Sequence, residues 1–220
     1  MVAGKWIRYQ AAIVAVAPVV VLAGWLAHPY IAFGPDSEAI ARAVAEDMTR
    51  WGLSHLLLAI GFGLMVLAFL AVRSFLRAAG EERWSPIGLP LVVVGFALWI
   101  ILPGMEFAPL AAAETGGDVQ AAQEALMPWF IPVLIGASVF STLGVVCFAA
   151  GISRSRVLSP AQTRLVIAAF VLMIVAGFIP YGAANYVESL AGIAALWPLA
   201  YRMLEHPVGQ PAARPKPASV

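Results

Sequence analysis

The chain has 220 residues, of which 62% are hydrophobic and 11% charged, with a formal net charge of +1. A soluble domain carries about 25% charged residues, so this chain lacks the polar groups to cover a water-facing surface and reads as an integral membrane protein. Its near-neutral balance offers no basic stripe for nucleic acid, and the single Cys147 rules out an intrachain disulfide framework.

About 20 mainly apolar residues cross a bilayer as a helix, and only helices or closed barrels satisfy their backbone hydrogen bonds there. The apolar runs are continuous and not alternating, which excludes a barrel. The first span is Tyr9 to Ala27. Lys5 and Arg8 precede it as in a secretory signal, but the run is long and the bulky Trp25 stands where cleavage needs a small residue, so an uncleaved helix is expected. Asp36 or Ser37 then caps an amphipathic helix with Ile40, Val44, Met48 and Trp51 on one face. Glu38 to Arg42 and Glu46 to Arg50 form i,i+4 pairs on its other face, so it should lie flat at the interface.

The second span is Leu53 to Val72. Ser85-Pro86 supplies an N-cap and a first-turn proline for the third, Ile87 to Met105. After Gly116-Gly117, Asp118 caps a second short amphipathic helix bearing Val119, Ala122 and Leu126. The fourth span, Trp129 to Ile152, carries a seam of Ser138, Ser141, Thr142 and Gly144 that reads as helix packing. Ser159-Pro160 opens the fifth, 160–180, and the break at Pro180-Tyr181-Gly182 separates it from a sixth, 183–202. A five-span alternative leaves Arg202, Arg214 and Lys216 on the other side. The expected fold is therefore all-α. Residues 1–204 form a bundle of six transmembrane helices with two short amphipathic helices on the extracytoplasmic side, and 205–220 form a proline-rich, disordered cytoplasmic tail.

Lys and Arg in short connections stay cytoplasmic. With six spans and both termini inside, that face holds eleven basic and three acidic residues, against two and nine outside. Trp6, Trp84, Trp129, Trp197 and Tyr201 fall near span ends, as interfacial anchors do. Alanine-rich, lysine-poor usage fits a high-GC bacterium, so the expected location is the bacterial cytoplasmic (inner) membrane.

Among candidate functional residues, Glu188 stands out, because a carboxylate about 8 Å inside the sixth span is costly and faces a partner or a water-filled cavity. Asn185, Ser189 and Gly192 share its side of the helix. His28 closes the first span, His55 opens the second and Glu106 ends the third, all at the outer boundary. His28, His55, Glu106 and Glu188 together would suit a divalent metal such as zinc. The two histidines alone would suit a haem, although paired axial ligands belong deeper in a bundle. Each residue also has a purely structural reading, as a bundle-ordering hydrogen bond or a helix terminus. Retinal has no intramembrane lysine, since the only lysines are Lys5 and Lys216. No HExxH, GxSxG, P-loop or dinucleotide fingerprint occurs, and no enzyme motif is present.

With Trp51-Gly-Leu-Ser-His55 opening the second span and Arg156-Val-Leu-Ser-Pro160 before the fifth, the layout resembles a broad group of small uncharacterised bacterial membrane proteins. That resemblance implies a six-helix bundle and no assigned activity. The expected function is a non-enzymatic binding or accessory protein with an extracytoplasmic site for a cation or small ligand. The alternatives are a small transporter using Glu188 and a haem or metal redox protein. Expected partners are the lipid bilayer and a second copy or an envelope complex.

Overall fold

The computed structural model describes residues 2–34 and 36–205. The tail expected over 205–220 lies, beyond Glu205, outside the described residues. The helices in chain order are α1 (Val2–Ala27), α2 (Ser37–Glu46), α3 (Met48–Ala78), α4 (Ser85–Met105), α5 (Phe107–Glu114), α6 (Val119–Ser155), α7 (Pro160–Gly177) and α8 (Gly182–Glu205). Five stretches are long and apolar enough to cross a membrane: Lys5–Ala27, Met48–Ala78, Ser85–Glu114, Val119–Ser155 and Pro160–Gly177. The fold is thus an all-helical, multi-pass membrane architecture. α8 packs along α1 and α7 and is less apolar, carrying Glu188, Arg202 and Glu205.

Three local expectations are redrawn. The amphipathic helix after Asp36 breaks at Asp47, whose side chain accepts from the Arg50 N–H at 2.8 Å and so starts α3 five residues before Leu53. Ile40 and Val44 therefore lie on α2 and Trp51 on α3, all buried in one satellite cluster, while Met48 is exposed. Asp118 does cap a helix, accepting from Ala121 N–H at 3.0 Å, but no second short helix separates it from the fourth span. The backbone runs on through Pro128 and Pro132 as the 37-residue α6. The additional short helix is α5, which continues from α4 after Glu106.

The third change concerns helix starts. Ser159 caps α7 reciprocally with Gln162, as its sequence suggests. Ser85 does not act this way; it is fully buried inside the first turn of α4. Its place is taken by Glu81, whose carboxylate accepts from the N–H groups of Arg83, Trp84 and Ser85 and from the Ser85 hydroxyl. The reason is geometric: four orphan donors converge at a helix start, and a carboxylate can accept more of them than one hydroxyl. Arg154 and Arg83 flank the Trp84 ring at 5.0 and 5.3 Å, tying α6 to the same turn.

The core is centred on Phe69 of α3, whose ring meets Phe96 of α4, Phe148 of α6 and Phe170 of α7 with centroids 5.7, 4.9 and 6.5 Å apart. α4 and α6 touch backbone to backbone. A Cβ on Gly144 would sit 2.7 Å from Val92 N, and one on Gly95 would overlap the backbone of Ser141. α1 and α3 meet similarly at Gly61, where a Cβ would sit 2.9 Å from Val21 N. α6 and α7, although consecutive, touch only sparingly.

Gly95→Ala should drive α4 and α6 apart and lower the melting temperature in detergent, whereas Gly63→Ala, whose nearest neighbour is the Ile100 side chain at 3.9 Å, should change it little. Equal melting temperatures for the two variants would contradict the close contact. For Glu81, burial alone would raise the carboxyl, but the hydrogen bonds from Ser85, Trp84 and Arg83 outweigh it and hold the group below its ordinary value of 4.5. A depressed folded-state value means that the stabilisation is complete above about pH 4.5 and is lost as pH falls below it. Thermal melts between pH 7 and pH 3 should show this loss, and Glu81→Gln should reduce it while costing about 1–3 kcal/mol at pH 7.

Candidate functional site

The site forms at the end of the bundle that carries α2 and α5, and it begins with a helix terminus. The last carbonyls of α1 lack intrahelical partners, and Arg50 supplies them: its Nε donates to Ala27 O at 2.7 Å and its Nη2 to His28 O at 3.3 Å. This contact replaces the Glu46 to Arg50 pair read from the sequence, and it fixes His28 beside the first turns of α3. There Trp51, His55 and His28 form a compact ring cluster, with centroid separations of 4.4 Å for Trp51 and His55, 5.1 Å for His28 and Trp51, and 4.8 Å for the two histidines. Trp25 of α1 packs edge-on against His28 at 5.5 Å.

Both imidazoles are anchored in the same way. His28 Nδ1 donates to Pro29 O at 2.6 Å and His55 Nδ1 to Trp51 O at 2.7 Å. A carbonyl can only accept, so the hydrogen-bond pattern assigns the proton to each Nδ1 and leaves each Nε2 as an acceptor. Desolvation lowers the pKa of His28 below 6.5, outweighing its bond to Pro29, and the nearby Arg50 charge acts in the same direction.

Trp51 also connects to α4, since its Nε1 donates to Glu106 O at 3.1 Å. The Glu106 side chain is 6% exposed. Its Oε1 accepts from Gln123 Nε2 at 3.1 Å, while Glu106 Oε2 and Gln123 Oε1 are buried with no hydrogen-bond partner. His28, His55, Glu106 and Asn185 all line one cavity of about 390 Å3, walled by Trp25, Trp51, Trp99, Phe62 and Phe178. Ile135 and Val139 of α6, and Phe178 and Ile179 beyond the end of α7, line this cavity and are exposed. The cavity therefore opens sideways, through the sparing contact between α6 and α7, onto the apolar flank of the molecule.

Its outer rim is latched. The segment after α1 pairs with the turn between α7 and α8 through Gly182 N to Ala32 O at 3.0 Å and Gly34 N to Pro180 O at 3.3 Å. The Phe33 and Tyr181 rings lie 4.2 Å apart over this bridge. Gly182 is required here, because a Cβ would overlap Ile31 O.

Glu188 and Ser189 are elsewhere. They line a second, much smaller cavity of about 50 Å3 together with Ser138, Ser141, Thr142 and Gly192. Ser189 Oγ donates to Asn185 O at 2.8 Å, whereas Glu188 has no hydrogen-bond or ion-pair partner among the described residues. The two cavities share Trp25, Phe62, Trp99, Ser138, Gly177 and Phe178 as walls. The expected notch around Glu188 is thus divided, with Asn185 facing the large cavity and Glu188 and Ser189 the small one.

His28, His55 and Glu106 converge on one cavity, but Glu188 does not join them, and no group of three or more His, Cys, Asp or Glu among the described residues is placed to hold a metal ion. The two imidazole rings are in mutual contact, which leaves no gap for a porphyrin plane between axial ligands. The seam of Ser138, Ser141, Thr142 and Gly144 packs against α4 at Ser141 and Gly144, as its sequence suggests, and Ser138, Ser141 and Thr142 also line the small cavity. The serine hydroxyls bond carbonyls of their own helix, Leu134 O at 2.9 Å and Ala137 O at 2.6 Å. Sequence reasoning missed Gln123, Trp25 and Trp99 as residues of the site; Gln123, a polar residue at i,i+4 from Val119 and i,i+3 from Leu126 on the apolar side of the helix, was the one available signal. Comparison with protein families, characterised proteins and solved structures finds no match to this chain.

The imidazole assignment is checked by 15N NMR of histidine-labelled protein. Both rings should show the Nδ1–H tautomer at pH 7, and the His28 titration midpoint should fall below 6.5. Because the unfolded state then takes up a proton that folded His28 refuses, its contribution to stability is present above pH 6.5 and declines as pH falls below it.

Proposed function

We propose that this chain is a binding protein of the bacterial cytoplasmic membrane that takes a small amphiphilic ligand from the bilayer into the large cavity. In this reading α8 is a sixth span, both termini are cytoplasmic, and α2 and α5 cover the extracytoplasmic end. The charge asymmetry supports that orientation: Arg73, Arg77, Arg83, Arg154, Arg156 and Arg202 gather at one end, and Asp36, Glu38, Glu46, Asp47, Glu114 and Asp118 at the other.

The observation that carries the reading is the cavity itself. About 390 Å3 falls within the range of roughly 300–1,000 Å3 typical of small-molecule sites. Its wall is mostly apolar and rich in aromatic rings, with a few polar groups at one end, and its opening faces the apolar flank. A ligand that reaches it from the bilayer places its apolar body along Phe178 and Ile135 and its polar end near His28, His55 and Glu106.

Uncharged N-phenyl-1-naphthylamine, added to the protein in nanodiscs, should quench the cavity tryptophans Trp25, Trp51 and Trp99 with a saturable component of one probe per chain. Ser138→Phe, which projects a ring from the shared wall, should remove that component. Quenching that stays linear with probe in both proteins would refute the cavity as a binding site.

One observation favours a second reading, in which the chain transports what it binds. Glu188 lies unpartnered in a cavity that shares walls with the large one and has room for about one to three waters. A carboxylate there can take up and release a proton as the larger cavity fills and empties. In pyranine-loaded proteoliposomes under an imposed pH gradient, N-phenyl-1-naphthylamine should then speed decay of the gradient, and Glu188→Gln should abolish the effect. Identical decay with both proteins would exclude this reading.

A further inference from the structure

Resting on the proposal that the large cavity holds a ligand, we infer that the ligand is an amphipathic organic cation, an ammonium or phosphonium group carried on an apolar body. The inference comes from counting what the polar wall can offer. His28 Nε2 and His55 Nε2 are acceptors, because each Nδ1 is committed to a carbonyl. Glu106 adds a carboxyl group with one oxygen unpartnered. No lysine or arginine lines either cavity among the described residues. The side-chain donors of the wall are all neutral: the Asn185 amide, the hydroxyls of Tyr30, Tyr181 and Tyr186, and the Trp25 indole N–H, the Ser138 hydroxyl being committed to Leu134 O.

A wall of this kind disfavours anions, since it holds no cationic side chain to oppose their charge and sets them against the acceptor atoms of Glu106, His28 and His55 in a low-dielectric site. It does not suit a bare metal ion either, because the donors are not grouped as a ligand set and the volume is far larger than an ion. A diffuse organic cation meets both features. Its charge favours the carboxylate form of Glu106, and the pair so formed offsets the desolvation that each charge alone would suffer. Its surface also finds the faces of Trp25, Trp51 and Trp99, and tryptophan is the strongest cation–π partner among the side chains. The apolar remainder of such a molecule fits Phe62, Phe178 and the opening between α6 and α7.

Two probes of near-identical shape and opposite charge test this: tetraphenylphosphonium and tetraphenylborate, each titrated separately against the full chain in nanodiscs with empty nanodiscs as blank. Tetraphenylphosphonium should quench the cavity tryptophans saturably at one per chain, and tetraphenylborate should not. Glu106→Gln should weaken the phosphonium at least tenfold more than it weakens N-phenyl-1-naphthylamine, and Glu38→Gln, on the exposed face of α2, should leave both unchanged. Equal binding of the two probes, or an unchanged phosphonium affinity in Glu106→Gln, would overturn the cation assignment. If the uncharged probe binds and the phosphonium does not, the cavity stands and the ligand class falls; if neither binds, the cavity reading falls with it. Should Glu106→Gln bind no probe at all, the comparison of opposite charges in the unsubstituted protein decides alone.

Discussion

Everything at the site depends on where helix backbones come close enough to touch. Inside a bilayer no hydrophobic force pulls helices together, because lipid tails are as apolar as leucine, and association rests on close van der Waals packing at small residues. Here Gly95 and Gly144 bring α4 against α6, and Gly61 brings α3 against α1. No comparable contact joins α6 to α7. The helices are therefore closed into tight pairs with one loose seam, and the large cavity lies along that seam. It is a consequence of which pairs the glycines select.

The two ends of the molecule spend their polar groups differently. At the Glu81 end, every notable polar group has a partner or a ring face. Glu81 holds the start of α4, Arg73 pairs with Glu82 at 3.1 Å, Arg202 donates to Val157 O at 3.0 Å, and Ser159 closes its capping box. Trp84 Nε1 is the exception, buried without a partner between two arginines. At the opposite end Glu106 and Gln123 are left incompletely satisfied. Buried polar groups without partners cost about 1–3 kcal/mol each, and of these only Glu106 lines the large cavity. In the reading proposed here a ligand satisfies its free oxygen.

The sequence made the long helices legible because span length and hydropathy are local properties. Break points were also legible where they involve Pro180 and Gly182, since those residues act on their own backbone. What stayed hidden depends on register between helices. Asp47 could be read as one more residue of an amphipathic face, and only the position of α1 shows why Arg50 turns toward Ala27 instead of Glu46. Convergence of His28, His55 and Glu106 followed from placing all three at one boundary. The separation of Glu188 did not, because boundary depth says nothing about which side of a helix faces which neighbour. Ser141 illustrates the same point: it packs against Gly95 of α4 and also lines the small cavity, and its place in the sequence does not show the second role.

Two carboxylates of the same chemistry therefore occupy two settings a few side chains apart. Glu106 sits at a helix junction, with one oxygen held by Gln123 and its own carbonyl held by Trp51, so its position is fixed from both the side chain and the backbone. Glu188 has no such hold, and its nearest constraint is the open space opposite Gly177, where a Cβ would come within 3.4 Å of its Oε1. A carboxyl group held in place suits recognition, because its geometry does not relax when the ligand leaves. An unheld carboxyl in a water-sized space suits a change of protonation, because neither form gives up a hydrogen bond to the protein. The shared wall of Trp25, Phe62 and Trp99 places the second where it can respond to occupancy of the first, so binding and any coupled proton movement would be adjacent functions of one loose seam and not of one residue cluster.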